Sequence, residues 1–174
     1  VVCFDKTGTL TKGGAPQVTN FAIHDSPKIK IFAAQLARDL ESNSKHPLAI
    51  GVRNFINEQY GEKLTTTKIP VTQEVPGLGM DGEILFSDGL AKDSIWNELK
   101  PTRVILGNER FMTQNKVNMT SNQLKLLDEW KTQGKSVVVV ALQCQNFFQS
   151  LKFFPVLLMA ARDEIREDAK GVIN

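Results

Sequence analysis

The chain has 174 residues, of which 41% are hydrophobic and 23% charged, and this composition is typical of a globular protein with a sizeable core. Its 21 Lys and Arg against 19 Asp and Glu give a formal net charge of +2, so it lacks the basic field that nucleic-acid binders carry, and nucleic acid is excluded as a partner. Cys3 and Cys144 have no metal-ligand spacing and predict neither a zinc site nor a disulfide, which favours a reduced, intracellular setting.

The first residues predict a buried strand followed by a loop. Val1 to Phe4 are apolar and stop at Asp5, and the segment from Thr7 to Pro16 contains three Gly and one Pro. The sequence opens in mid-strand, without an initiator Met or a signal peptide. We therefore expect it to be part of a longer protein.

Two helices are predicted next, separated by a polar loop at Ser42 to Lys45. The first begins at Ser26-Pro27, because Ser caps helices and Pro suits the first turn, and should end near Glu41 to Ser44. The second begins at His46-Pro47 and runs to Gly61. Apolar residues recur at helical spacing in both helices: Ile29, Phe32, Ala33, Leu36 and Leu40, then Leu48, Val52, Phe55 and Ile56.

Strand signals dominate the middle of the chain. β-Branched residues and spaced glycines between Thr65 and Phe86 predict two strands joined around Gly77-Leu78-Gly79. Ser87 to Pro101 is polar and predicts a surface excursion. A further strand at Arg103 to Leu106 should lead through Gly107-Asn108 into a short helix ending at Met112.

The last third of the chain predicts a helix, further strands and a final helix. Thr120 to Gln133 is amphipathic, with Leu124, Leu127 and Trp130 on one face and Gly134 as its stop. The remaining predictions are a buried strand at Ser136 to Leu142, one or two strands within Phe147 to Ala161, and a helix from Asp163 to Asn174. The longest apolar stretch, Phe153 to Ala161, is too short for a membrane-spanning helix, which needs about 20 residues.

The segment from Asp5 to Thr11 reads Asp-Lys-Thr-Gly-Thr-Leu-Thr and carries the chemistry. Open α/β sheets bind ligands at the carboxyl ends of their strands, which is where Asp5 is predicted to lie. Its carboxylate can attack the γ-phosphoryl group of ATP, while Lys6 and the groups of Thr7 to Thr9 serve the phosphate. Mg²⁺ is expected beside Asp5.

These seven residues resemble the signature of P-type ATPases, in which the first Asp is phosphorylated. The resemblance implies Asp5, Lys6, Thr7 and Thr9 as catalytic residues, with Asp5 and Thr7 at an incomplete Mg²⁺ site. Two alternatives remain open: Asp5 only caps a turn, or the chain is a haloacid-dehalogenase-like phosphatase. Such phosphatases usually carry a second Asp as general acid at the position of Thr7, and its absence favours a longer-lived phosphoenzyme.

A second element, Ser44-Lys45-His46-Pro47-Leu48-Ala49, resembles the Ser-Glu-His-Pro-Leu element of heavy-metal (type IB) P-type ATPases, with Lys45 in place of Glu. The resemblance implies that His46 orients the adenine of ATP and that Glu41 also contacts the base. An imidazole can stack on a planar base, and a carboxylate can accept from its exocyclic amine. Alternatively, His46 only begins a helix.

Three later segments extend the resemblance. The stretch from Glu74 to Gly82 resembles the Gly-x-Gly element and implies that Gly77 and Gly79 let the nucleotide approach the backbone. Gly107-Asn108-Glu109-Arg110 resembles the Gly-Asn-Arg element, with Glu109 inserted, and implies that Asn108 lines the pocket. Asp163 to Ala169 resembles the hinge into the phosphorylation domain and implies a nucleotide role for Arg166, although a plain capped helix explains much of it.

Together these elements predict an α+β fold, in which an antiparallel sheet flanked by helices is inserted in a partial Rossmann-like, haloacid-dehalogenase-like phosphorylation domain. Residues 1–16 would begin the phosphorylation domain, 17–161 would form the nucleotide-binding domain, and 162–174 would be the hinge and re-entry. The later Mg²⁺-site elements of the family are missing, so we expect this chain to bind ATP but phosphorylate itself poorly.

The expected function is ATP binding and phosphorylation in a heavy-metal P-type ATPase, with copper favoured by the His-Pro-Leu-Ala and Val-Pro-Gly-x-Gly context. A zinc or cadmium pump, a phosphatase and a nucleotide-binding module without turnover are the alternatives. The resemblance implies ATP and Mg²⁺ as cofactors and the cytosolic face of a membrane as the location of the parent, the isolated chain being soluble. The partners it implies are the transmembrane and actuator domains and a metallochaperone.

Overall fold

A six-stranded antiparallel sheet forms the centre of the molecule. The computed structural model describes residues 11–23, 27–65, 69, 71–84, 99–145 and 152–164. The strands are β1 (Gln17–Ile23), β2 (Val71–Val75), β3 (Gly79–Glu83), β4 (Pro101–Gly107), β5 (Ser136–Cys144) and β6 (Phe153–Arg162). Their order across the sheet is β1-β6-β5-β4-β3-β2, and each neighbouring pair is antiparallel. The predicted antiparallel sheet flanked by helices is therefore confirmed.

Helices cover both faces of this sheet. They are α1 (Pro27–Leu40), α2 (Pro47–Tyr60), α3 (Glu109–Gln114) and α4 (Ser121–Thr132), and a 3₁₀ turn, Gly61–Lys63, follows α2. One core cluster joins α1 and α2 to one face, and a second joins α3 and α4 to the other. Strand β5 alternates between them, with Val138 and Val140 in the first cluster and Val139 in the second. Burial on both faces explains its continuous valine run.

Both predicted helices in the first third of the chain form at the expected places. Helix α1 ends at Leu40, and α2 begins after His46, whose extended backbone serves as the N-cap, with Pro47 at the first position. In α1 the buried face includes Gln35, whose side-chain oxygen accepts hydrogen bonds from the N–H and the hydroxyl of Thr65 at 3.1 and 3.0 Å. This buried polar group is therefore satisfied.

The structure corrects two details of the sequence interpretation. The surface excursion predicted to reach Pro101 ends earlier, because Leu99 is fully buried and Pro101 is buried as the first residue of β4; residues 85–98 lie outside the described residues. Leu124 was predicted on the buried face of α4 but is 43% exposed, because the buried residues of that helix, Leu127 and Trp130, lie in its second half. Helix α4 ends just before Gly134, as predicted.

Strand β1 has no counterpart in the sequence interpretation. It pairs with β6, with Gln17 opposite Arg162, and its register shifts between Val18 and Asn20. Strand β6 contains Pro155, which lies opposite Ala141 at a register shift of the β5–β6 ladder and beyond the last β1 pair at Leu157. A proline is tolerated there because it interrupts no regular pairing.

Two predicted elements, one at each end of the chain, fall on residues that the structure does not describe. The strand at Val1 to Phe4 lies outside the described residues, as does the predicted helix after Glu164. Asp163 and Glu164 belong to no helix or strand, and the backbone N–H of Lys12 donates to the carbonyl oxygen of Glu164 at 2.8 Å. Within the ranges given above, no helix is long and apolar enough to cross a membrane.

Candidate functional site

A cavity of about 200 Å³ opens where the loop between α1 and α2 meets one end of the sheet. The β2–β3 turn, the end of β4 and the start of β5 complete its wall. Five residues that sequence analysis assigns to nucleotide binding line this one cavity: Glu41, His46, Gly77, Gly79 and Asn108. They come from positions up to 67 apart in the sequence, and the sheet order brings them together.

Glu41 is the buried acid of the cavity. It directly follows α1 and its side chain is hydrogen-bonded to Ser44. Burial raises the pKa of the carboxyl from 4.5 to about 7; the Ser44 hydrogen bond and the positive charge of Arg53 lower it in part, and the charge of Glu74 raises it slightly. Among the described residues its Oε2 has no hydrogen-bond partner. An unpaired, buried carboxyl oxygen in a cavity is an acceptor prepared for a donor that enters from outside.

His46 begins α2 and is held by two local hydrogen bonds. Its Nδ1 accepts from the backbone N–H of Leu48 at 3.2 Å, and its own backbone N–H donates to the Ser44 hydroxyl at 3.3 Å. A neutral imidazole whose Nδ1 accepts carries its proton on Nε2. The exposed ring therefore offers a donor at Nε2 as well as a planar face.

Gly77 and Gly79 are explained by the backbone itself. Gly77 has a φ of +71°, in the left-handed region that favours glycine. Gly79 has a φ of +155°, and a Cβ atom there would lie 2.0 Å from the Leu106 carbonyl oxygen of the neighbouring strand. These glycines let the hairpin turn and let β3 approach β4 closely, and this requirement is independent of any ligand.

Asn108 ties two walls of the cavity together. Its side-chain oxygen accepts from the backbone N–H of Phe111 at 3.0 Å and so caps α3, while its side-chain amide donates to the Gly77 carbonyl oxygen at 2.9 Å. Its backbone N–H also donates to the Leu78 carbonyl oxygen at 3.0 Å. The side chain thus holds the β2–β3 turn against the start of α3.

Several residues that line the cavity have no role predicted from the sequence. Ser44 and Glu74 add polar groups, and Gly107 adds backbone that packs closely against Leu78; the signal for the first two is their place beside the His46 and Gly77 elements. The rest of the lining is apolar: Leu48, Ala49, Val52, Val75, Leu78, Met80, Leu106, Val137 and Val138. A mostly apolar wall with a few polar groups is typical of sites for flat, partly apolar ligands.

The predicted phosphorylation residues cannot be placed against this cavity. Asp5, Lys6, Thr7, Thr9 and Arg166 lie outside the described residues, so the catalytic group and its Mg²⁺ site stay predictions. Within the described part of the chain, no group of three or more His, Cys, Asp or Glu side chains could hold a metal ion. Cys144 is free and buried, and burial raises the pKa of its thiol to about 12, so it is an inert core residue.

Comparison with known proteins gives the family. A model of the haloacid dehalogenase-like hydrolases matches residues 1–174. The chain belongs to the haloacid dehalogenase-like hydrolase family. Among curated proteins, the chain is similar to a "Copper-exporting P-type ATPase" of Staphylococcus aureus (strain MRSA252), with 24% identity over 173 residues. That match covers 99% of this chain and 17% of the relative, so the hydrolase chain spans about a sixth of the relative's length.

Solved structures show the same fold. A zinc-transporting PIB-type ATPase in its E2.Pi state matches this hydrolase with a TM-score of 0.61 and 22% identity, over 98% of this chain and 22% of that one. The N-domain of HMA6, a copper-transporting P-type ATPase, matches with a TM-score of 0.52 and 16% identity, over 86% of this chain and 100% of that one. The second match covers the whole of that N-domain, so the two chains share this fold.

Proposed function

We propose that this chain is the ATP-binding and phosphorylation region of a heavy-metal cation-transporting P-type ATPase, with copper as the transported ion. The observation that carries the proposal is the convergence of Glu41, His46, Gly77, Gly79 and Asn108 on one cavity that contains an unpaired, buried carboxyl oxygen. The similarity to copper-exporting P-type ATPases over 99% of the chain supports it. So does the signature that begins at Asp5.

The size and chemistry of the cavity suit the adenine base alone. Its volume of about 200 Å³ is below the roughly 300–1,000 Å³ of pockets that enclose a whole drug-sized ligand. The base would lie on the apolar wall, Glu41 Oε2 would accept from the 6-amino group, and the Nε2 proton of His46 would face the ring. The triphosphate would then extend out of the cavity.

The γ-phosphoryl group of an exposed triphosphate can be transferred to a group outside the cavity. In the proposed reaction a carboxylate oxygen of Asp5 bonds to the γ-phosphorus, the bond from that phosphorus to the β–γ bridging oxygen breaks, and ADP leaves. Mg²⁺, when bound, would neutralise phosphate charge beside Asp5 and Thr7. Lys6 and Thr9 would contact the phosphoryl oxygens, and Arg166 would lie near the nucleotide. We place this reaction at the cytosolic face of a membrane, in a parent with transmembrane and actuator domains.

A haloacid-dehalogenase-like phosphatase is the second candidate, because the family includes such enzymes. Thr7 at the position of the usual acid disfavours it, since no carboxyl group is there to protonate a leaving group. The cavity disfavours it as well, since hydrolysis of a phosphate ester does not by itself require a site for a nucleotide base. A zinc or cadmium pump is a further alternative, because no described residue of the cavity selects the transported ion.

Calorimetric titration of the chain with ATP tests the base site directly. His46→Asn is the informative variant, because Asn keeps the N-cap of α2 but removes the Nε2 donor and the ring. Its ATP affinity should fall about tenfold, the equivalent of one hydrogen bond of about 1.4 kcal/mol. Glu129→Gln, exposed on α4 across the sheet, is the matched control and should bind like the wild type.

Inosine triphosphate sharpens this test, because it carries an oxygen in place of the 6-amino group. At pH 8, above the Glu41 pKa of about 7, that oxygen would face an ionised carboxylate, so the wild type should prefer ATP by about tenfold or more. Equal binding of both nucleotides, or no binding of either, would contradict the proposed base site. In the full-length protein, Asp5→Asn should abolish labelling by γ-³²P-ATP, and Cu⁺ rather than Zn²⁺ should stimulate turnover.

A further inference from the structure

Arg53 of α2 is an unassigned cation that reaches the loop beside the cavity. Its Nη1 donates to the carbonyl oxygen of Glu41 and to that of Ser44, the second at 2.9 Å. The side chain is half-buried, and it lies on the helix that His46 begins. One guanidinium nitrogen therefore fixes both ends of the four-residue loop Glu41–Ser44.

The loop that Arg53 fixes connects the two side chains proposed to read the base. The Ser44 side chain is hydrogen-bonded to the Glu41 carboxyl and accepts from the backbone N–H of His46. Carbonyl groups at and just after a helix C-terminus lack helical partners and carry partial negative charge, so a cation there is favoured. Arg53 provides that cation for α1 from a neighbouring helix. If the loop moved, Glu41 would leave the cavity and Ser44 would leave His46.

We propose that Arg53 is the positioning residue of this site: it holds the Glu41–Ser44 loop closed so that the Glu41 carboxyl stays in the cavity. The role in nucleotide affinity rests on the function proposed above, whereas the position of the carboxyl does not. Arg53 does not line the cavity, so it acts through Glu41 and not by contact with the base.

Two simpler roles for Arg53 predict different behaviour of Glu41. Among the residues that the structure describes, the charged and titratable groups that act on the carboxyl or share its cavity are Arg53 itself, Glu74 from β2, and His46. If Arg53 acted only as a nearby positive charge, its removal would raise the pKa of Glu41 above about 7. If it only stabilised the fold, its removal would leave that pKa unchanged. Release of the loop predicts the opposite shift, because a solvated carboxyl returns toward its ordinary pKa of 4.5.

The decisive experiment is a carboxyl ¹³C NMR titration of Glu41 in the nucleotide-free chain, combined with ATP calorimetry. Arg53→Met keeps an unbranched apolar stem and removes the charge and the donors. The midpoint of Glu41 should fall from about 7 toward 4.5, and ATP affinity should fall about tenfold or more. Arg38→Met is the matched control, because Arg38 also donates to a backbone carbonyl oxygen, but that oxygen belongs to Thr65, at 2.5 Å, and not to the Glu41–Ser44 loop. It should change neither measurement.

The outcomes separate this inference from the proposed function. A Glu41 midpoint that stays or rises in Arg53→Met overturns the positioning role, even if ATP binds well. A midpoint that falls in a chain whose wild type binds no ATP supports the positioning role and rejects the nucleotide site. Should Arg53→Met fail to fold, Arg53→Lys retains the charge on a shorter side chain, and its midpoint should fall by a smaller amount; an unchanged midpoint there contradicts the inference.

Discussion

The side-chain amide of Asn108 donates a hydrogen bond to the carbonyl oxygen of Gly77, 31 positions earlier in the chain, at a distance of 2.9 Å. The same side chain caps α3 through its oxygen. One residue therefore couples the start of a helix to the turn between β2 and β3, and both this residue and the turn line the cavity.

Replacing Asn108 should separate these two hydrogen bonds. Asn108→Ala loses both and should cost about 1–2 kcal/mol of unfolding free energy. Asn108→Asp keeps an oxygen to cap α3 but loses the donor to Gly77, so it should be less destabilised than the alanine variant while its ATP affinity falls. Urea unfolding and calorimetry measure the two effects. Unchanged ATP affinity in the Asp variant would show that the tie to Gly77 does not shape the site.

The buried Glu41 carboxyl should make stability depend on pH. Because its folded pKa of about 7 lies above 4.5, the folded chain retains a proton that the unfolded chain loses between these values. Ionisation of the Glu41 carboxyl therefore lowers the free energy of unfolding. The full loss is present above pH 7, and no loss is present below pH 4.5. Glu41→Gln should be more stable than the wild type by about 2 kcal/mol at pH 8 after allowance for solvent screening, and the gain should vanish near pH 4.5.

Denaturant unfolding at pH 8 and pH 4.5 checks this sign. Glu58→Gln, exposed on α2, is the control and should show no such pH-dependent difference. The same Glu41→Gln protein should bind ATP less tightly, because it loses a charged acceptor for the 6-amino group. A variant that is more stable but binds less well would place Glu41 among residues retained for function at a cost to folding.

The two glycines of the β2–β3 turn should respond very differently to alanine. Gly79→Ala places a Cβ 2.0 Å from the Leu106 carbonyl oxygen and should cost about 3 kcal/mol or more, since neither strand backbone can yield without breaking pairs. Gly77→Ala meets no atom within 4 Å and should cost only the left-handed penalty of about 1–2 kcal/mol. Equal losses in thermal or urea unfolding would contradict this explanation of the hairpin.

Local sequence signals located much of this structure. Helices α1 and α2 follow from prolines and caps near their first turns, and the valine run of β5 reports burial on both sides. Strand β1 gave no such signal, because its ladder is irregular around Asn20 and Phe21 is 40% exposed, so its apolar residues do not alternate as those of a half-buried strand do. That irregularity is set by pairing with β6, more than 130 positions away.

The candidate site, like the fold, could be predicted from the sequence only in part. His46 and Glu41 are close in sequence, so a local motif is enough to predict them. The burial that leaves Glu41 Oε2 without a partner among the described residues depends on the packing of distant elements. Arg53 has no motif of its own, and its role follows only from the hydrogen bonds it makes to two carbonyl groups. The phosphorylation residues around Asp5 stay predictions from sequence.

The pairing of Gln17 with Arg162 has a mechanical consequence. The strand that enters the sheet and the strand that leaves it lie side by side, and the bond from Lys12 to Glu164 continues that contact beyond the sheet. Any segment attached before Lys12 and any segment attached after Glu164 therefore share one short, double-stranded stalk. A force that pulls these two segments apart therefore acts on the β1–β6 ladder one pair at a time, beginning with Gln17 and Arg162.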